Sequence, residues 1–110
     1  DSNGTLLHSY YEDTGGKPVQ KIQTALQDLI QRFGNINITG CIVCGSGKER
    51  IAEMLQVGKA NEIIAHATAA WTVYPAVNSV LEIGGQDSKY IIIDRYRSGK
   101  PFLKDHKRQT

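Results

Sequence analysis

An α/β fold with a mixed sheet and flanking helices is the architecture that the sequence predicts, on three observations. Val19, Ile22, Ala25, Leu26, Leu29, Ile30 and Phe33 recur every three or four residues, the period of a helix that packs one face on a sheet. Two runs rich in β-branched residues, around Val80–Ile83 and Tyr90–Asp94, flank the turn Gly84-Gly85-Gln86-Asp87-Ser88. Turn and cap signals divide the chain into the order β-α-β-α-α-β-β-β, with helices and strands interleaved. At 110 residues the chain is about one domain, long enough for a modest core.

The elements follow in order. Asp1-Ser2-Asn3-Gly4 is a turn signal, and Thr5–Tyr11 reads as the second strand of a hairpin whose first strand is missing. An incomplete domain exposes apolar surface that its missing strands should cover, so self-association to a homo-oligomer is expected, with strand exchange or edge pairing at Thr5–Tyr11 as a route. Thr14-Gly15-Gly16-Lys17-Pro18 breaks the strand and opens the helix, with Pro18 in its first turn and Gly34 as its stop. Ile36, Ile38, Ile42 and Val43 make a short buried strand that ends at Gly45-Ser46-Gly47. Ser46 with Glu49 three residues later has the capping-box pattern, so a helix is expected from near Gly47. Ile51, Met54 and Leu55 form its apolar face and Gly58 ends it. Asn61 caps a further helix that runs to about Tyr74 and is closed by Pro75. Ala65, Ala67, Ala69 and Ala70 allow that helix a close approach to its neighbour. His66 reads as a hydrogen-bonded structural residue, and Trp71 and Tyr74 as core or interface. After the hairpin, Arg97-Ser98-Gly99-Lys100 turns the chain into a third strand at Pro101-Phe102-Leu103. Lys104 to Arg108 read as a frayed tail more than a binding arm.

Composition sets limits on partners. A net charge of +2, with basic residues dispersed, argues against nucleic acid. Neither a signal peptide nor an apolar run long enough for a bilayer is visible, so no membrane partner and a cytoplasmic location are expected. Cys41 and Cys44 form a lone C-x-x-C, which can be a redox pair, half a zinc site or two ligands of a cluster. Their place inside an apolar run favours buried strand thiols acting as small hydrophobes. The chain starts at Asp1, and reads as a piece of something longer.

Two stretches carry chemistry. The strand, glycine turn and helix around Gly45-Ser46-Gly47 make an anion site, because free N–H groups point out of a helix start. It is not a P-loop, which needs glycine at 42 and Ser or Thr at 49, where the chain has Ile42 and Glu49. The other stretch is the Gly84–Ser88 turn. Glycines let backbone N–H groups reach an anion, and Glu82 and Asp87 are suited to a hydrated magnesium ion. On pattern alone, a polar hairpin turn and a phosphate site both stand.

Asn61-Glu62-Ile63-Ile64-Ala65-His66-Ala67 followed by Glu82-Ile83-Gly84-Gly85-Gln86-Asp87-Ser88-Lys89-Tyr90-Ile91 resembles the BadF/BadG/BcrA/BcrD ATPase family. These are the ATP-dependent activators of 2-hydroxyacyl-CoA dehydratases and the ATPase subunits of benzoyl-CoA reductases. The resemblance runs from Asp1 to about Asp105 and implies a partial ribonuclease-H-like ATPase fold of the actin and chaperone type. Residues 1–75 would be a remnant of the first subdomain and 76–110 the start of the second. It implies ATP and magnesium as cofactors of the parent protein, and a dehydratase or reductase component as its partner. Glu82, Gln86 and Asp87 would be catalytic, with Glu82 and Asp87 reaching magnesium through water. Gly84, Gly85, Ser88 and Lys89 would belong to the second phosphate loop, joined by Gly45, Ser46 and Gly47.

The family's first phosphate loop and its cysteine segment are absent, so ligands for a parent [4Fe–4S] cluster are not in this chain. Cys44 and Lys48 also replace the Thr and Arg of the family's earlier turn. The expectation is a fragment of an ATP-hydrolysing activator, inactive by itself. The alternative is a non-catalytic scaffold module that retains the fold.

Overall fold

The computed structural model describes residues 1–34 and 36–110, which divide into two compact units, Asp1–Cys41 and Ile42–Thr110. In the first, a proline at the start and a glycine after the end delimit α1, Pro18–Phe33. Gly34 takes a left-handed φ of 65° and donates its N–H to the Ile30 carbonyl at 2.8 Å. The predicted apolar stripe is present, with Val19, Ile22, Ala25, Leu26 and Leu29 half-buried, yet no residue of α1 is fully buried. Thr5–Tyr11 forms no strand, contrary to expectation. A strand needs a neighbour for its N–H and C=O groups, and among the described residues none pairs with this stretch. The Thr5–Tyr11 edge, one route to the expected self-association, is therefore not formed.

The second unit begins with β1, Ile42–Val43, paired in parallel with β2, Gly58–Lys59, and joined to it through α2, Lys48–Leu55. The strand expected from Ile36 shrinks to these two residues. Ile38 and Ile42 are exposed, and Cys41 and Cys44 are free, exposed thiols and not buried ones. With only Gly58–Lys59 as a partner, the apolar run has no sheet to enter. The capping box is also absent. Gly47, at a φ of 81°, is the N-cap with no side-chain bond, and Glu49 pairs with Lys59. Gln56, also left-handed, ends α2, so Gly58 serves as a strand residue and not as the helix stop.

Asn61 caps α3, Glu62–Val73, as expected, its Oδ1 accepting from the N–H of Ile63 at 2.8 Å and of Ile64 at 3.3 Å. A three-stranded antiparallel sheet follows, in the order β3 (Ser79–Ile83), β4 (Ser88–Arg95), β5 (Pro101–Gln109). Ile63 and Ala67 of α3 pack on Ile91 and Ile93 of β4, with Trp71, Val77, Val80 and Leu103 around them. Ala67 is fully buried, where a larger side chain would hold helix and sheet apart. Tyr74 is 70% exposed, so it is not a core residue.

The expected frayed tail is strand. Ser88 pairs with Gln109, Lys89 with Arg108 and Ile91 with His106, ahead of a register shift between Ile92 and Ile93. The architecture is thus mixed α/β: helices, a three-stranded antiparallel sheet and a small parallel pair, in the order α-β-α-β-α-β-β-β. No helix among the described residues is long and apolar enough to cross a membrane.

Candidate functional site

The period-two alternation that buries Ile91 and Ile93 puts Lys89 on the same face of β4, where it is 2% exposed. A buried ammonium must be paired. Its Nζ lies 2.7 Å from Asp87 Oδ1, 2.8 Å from Glu82 Oε2 and 3.2 Å from Glu62 Oε1. Three elements supply these carboxylates: the hairpin turn, the end of β3 and the first turn of α3. An ammonium has three N–H donors; two go to Asp87 and Glu82, and Glu62 stands within ion-pair distance of the third.

Arg108, opposite Lys89 in the β4–β5 ladder, closes the cluster from outside. Its Nε lies 2.9 Å from Asp87 Oδ2, and its Nη2 donates to Glu62 Oε2 at 3.2 Å. These contacts shift the titrations apart. The hydrogen bond from Lys89 holds the carboxyls of Asp87 and Glu62 below the usual carboxylate range, with Arg108 adding to it. Asp87, then Glu82 and Glu62, push the Lys89 ammonium further above its ordinary value.

Beside this cluster lie two adjoining cavities. One, of about 300 Å³, is lined by Gly84, Gly85, Gln86 and Asp87 on one side and by Ser46 and Arg108 on the other. The next, of about 390 Å³, has Gly45, Ser46, Lys48, Asn61, His106 and Arg108 in its wall. Ser46, Glu62 and Arg108 belong to both, so the two glycine turns share one cleft. Ser46 stands between two left-handed glycines, Gly45 at a φ of 91° and Gly47 at 81°.

In the other turn, Gly84 donates its N–H to the Asp87 carbonyl at 2.9 Å. A Cβ on Gly84 would meet Glu82 Oε1 at 3.0 Å, whereas one on Gly85 would meet nothing within 4 Å. Among the described residues, the N–H groups of Ser46, Gly47, Gly85 and Gln86 enter no turn or cap bond.

The cleft therefore brings together Gly45, Ser46, Glu82, Gly84, Gly85, Gln86, Asp87 and Lys89. Gly47 stays outside its wall as the cap of α2, and Ser88 lies in the ladder opposite Gln109. His66 sits 3.7 Å from Glu62, at the margin of the cluster. Arg108, His106, Lys48 and Glu62 were not among the predicted site residues. A regular ladder extended from the Arg97–Lys100 turn would have set Lys107 opposite Lys89; the register shift between Ile92 and Ile93 puts Arg108 there instead, and no sequence signal marks that shift.

The carboxylates do not fit a magnesium ion held between Glu82 and Asp87. The Lys89 ammonium fills that point, and Asp87 has one oxygen on Lys89 and the other on Arg108. Among the described residues, no group of three or more His, Cys, Asp or Glu side chains is arranged to hold a metal. No family profile matches the sequence, and no curated protein and no solved structure is significantly similar to it.

Proposed function

We propose that the cleft binds a phosphate group, and that the chain supplies this half-site to an ATP-hydrolysing activator of the BadF/BadG/BcrA/BcrD type. One observation carries the reading. The Gly45–Gly47 and Gly84–Asp87 turns are 37 or more positions apart in a chain of 110 residues, yet they line one cavity through Ser46. Each was singled out for the same chemistry, a backbone that an anion can approach closely.

Charge is balanced in this cleft: Lys48, Lys89 and Arg108 against Glu62, Glu82 and Asp87. An anion is therefore recognised by N–H groups and by the outer cations Lys48 and Arg108, not by a broad positive field. In this reading the three-stranded sheet with α3 belongs to a partial ribonuclease-H-like fold. The activity of the whole protein then depends on segments that bring the adenosine and the remaining phosphate contacts. A dehydratase or reductase component would be its partner.

A second reading, a non-catalytic scaffold, is favoured by the engagement of Glu82 and Asp87 with Lys89 and Arg108. Titration with inorganic phosphate and with ADP, followed through amide resonances, separates the two. Shifts at Ser46, Gly47, Gly85 and Gln86 that vanish in Gly85→Ala support a phosphate site, because a Cβ at that position meets no protein atom within 4 Å. Absence of shifts at millimolar ligand in the native chain favours the scaffold.

A further inference from the structure

We infer that Lys89 is the resident cation of the cleft: its ammonium holds the place that a divalent ion would take among Glu62, Glu82 and Asp87. An oxyanion then enters between the glycine turns without a metal held by these carboxylates, a consequence that rests on the phosphate reading above. Oxygens from three separate elements converge on one buried nitrogen at 2.7, 2.8 and 3.2 Å. A magnesium ion needs about six oxygens at roughly 2.0–2.1 Å in octahedral array, and an ammonium at the centre of the cluster denies it both space and charge. Arg108 reinforces this by engaging the remaining oxygens of Asp87 and Glu62.

Lys89 also differs from a lysine that would grip a phosphate itself. Its three donors face carboxylates and its side chain is 2% exposed, so its charge acts on the ligand through the residues it positions. In this arrangement Lys89 orders the Gly84–Asp87 turn, and the turn's N–H groups meet the anion. Glu62, Glu82 and Asp87 are not arranged to hold a metal as they stand; removing the ammonium leaves them without their cation, so that a divalent ion can draw them together.

Paramagnetic Mn²⁺, added to the 110-residue chain at matched ionic strength, tests this directly. The native protein and Lys89→Arg are expected to show no selective broadening of the Glu62, Glu82 and Asp87 resonances. Lys89→Ala is expected to show it, with a thermal midpoint that rises on adding Mn²⁺. Selective broadening at these three residues in the native chain overturns the proposal, and that arm decides even where Lys89→Ala fails to fold. A folded Lys89→Ala that gains no manganese site overturns it as well.

Phosphate titration addresses the consequence separately. An affinity that changes less than about twofold between chelator and excess magnesium supports entry without metal, whereas weakening by about tenfold or more in chelator overturns it. No phosphate binding under either condition overturns the phosphate reading itself and leaves the manganese result to decide on Lys89.

Discussion

The Gly84–Asp87 and Gly45–Gly47 turns share a cleft but are held in different ways. In the first, the charged side chains face inward. Asp87 and Glu82 clasp Lys89, Arg108 locks Asp87 from outside, and Gly84 is packed against Glu82. In the second, two left-handed glycines set the path, no side chain caps the helix, and open space surrounds both glycines. A polar glycine turn in a sequence thus says little about whether its polar groups are free for a ligand. Pairing and burial decide it, and here they reserve the carboxylates of one turn for the fold.

The largest effect of this contrast comes from the first turn. Lys89→Ala leaves three carboxylates facing one another, and should lower the thermal midpoint far more than any substitution in Gly45–Gly47. The pH dependence should then change sign. In the native chain, Asp87 and Glu62 have lowered folded values, so their contribution is present above the usual carboxylate range, about 4, and is lost as pH falls below it. Lys89 has a raised value, so its contribution persists through the ordinary ammonium range, about 10.4, and is lost only above it. Denaturant titrations should show native stability holding from about pH 5 to 9 and falling in acid. Lys89→Ala should gain stability first as pH drops, because protonation relieves repulsion. A native-like acid profile for that variant would mean that the cluster is not what orders the turn.

The next effect separates neighbouring glycines. In Gly84→Ala the new methyl lies 3.0 Å from Glu82 Oε1, a carboxylate that Lys89 holds in place, so a loss of roughly 1 kcal/mol is expected. Gly85→Ala has room and no positive φ, so stability should stay within about 0.5 kcal/mol while phosphate affinity falls. Equal stability losses for both would remove the distinction between a packed glycine and an approach glycine.

How much of this could be read beforehand depended on where the signal lay. The hairpin and the cap of α3 follow from local rules, and Asn61 and the Gly84–Asp87 turn stand where those rules put them. Burial is a different matter. The stripe on α1 is the more regular pattern, yet no residue of that helix is fully buried. Alanine-rich α3 carries Ala67 and Ile63 into the core, because a face of small residues can close on a sheet. Periodicity tells which face is apolar, not whether anything covers it. Lys89 was legible in part, since it shares the face of Ile91 and Ile93. Its partner Glu62 was not, being 27 positions away on another element. Arg108 was missed because a run of charged residues at the end of a chain has no apolar alternation, although the ladder with β4 draws it in.

The smallest effect belongs to Ser46. Its hydroxyl makes no cap bond to α2, and the path of its turn is set by Gly45 and Gly47. Ser46→Ala should therefore leave stability within about 0.5 kcal/mol of native, against the loss of about 1 kcal/mol typical of a serine that caps its helix. The same residue lines both cavities, within reach of whatever the cleft holds. Removing one neutral donor from an anion weakens binding by about 0.5–1.5 kcal/mol, or about two- to tenfold in phosphate affinity. Measuring both quantities on one variant gives the contrast its finest test. Lost stability with unchanged affinity would make Ser46 a cap after all, and the second turn as structural as the first.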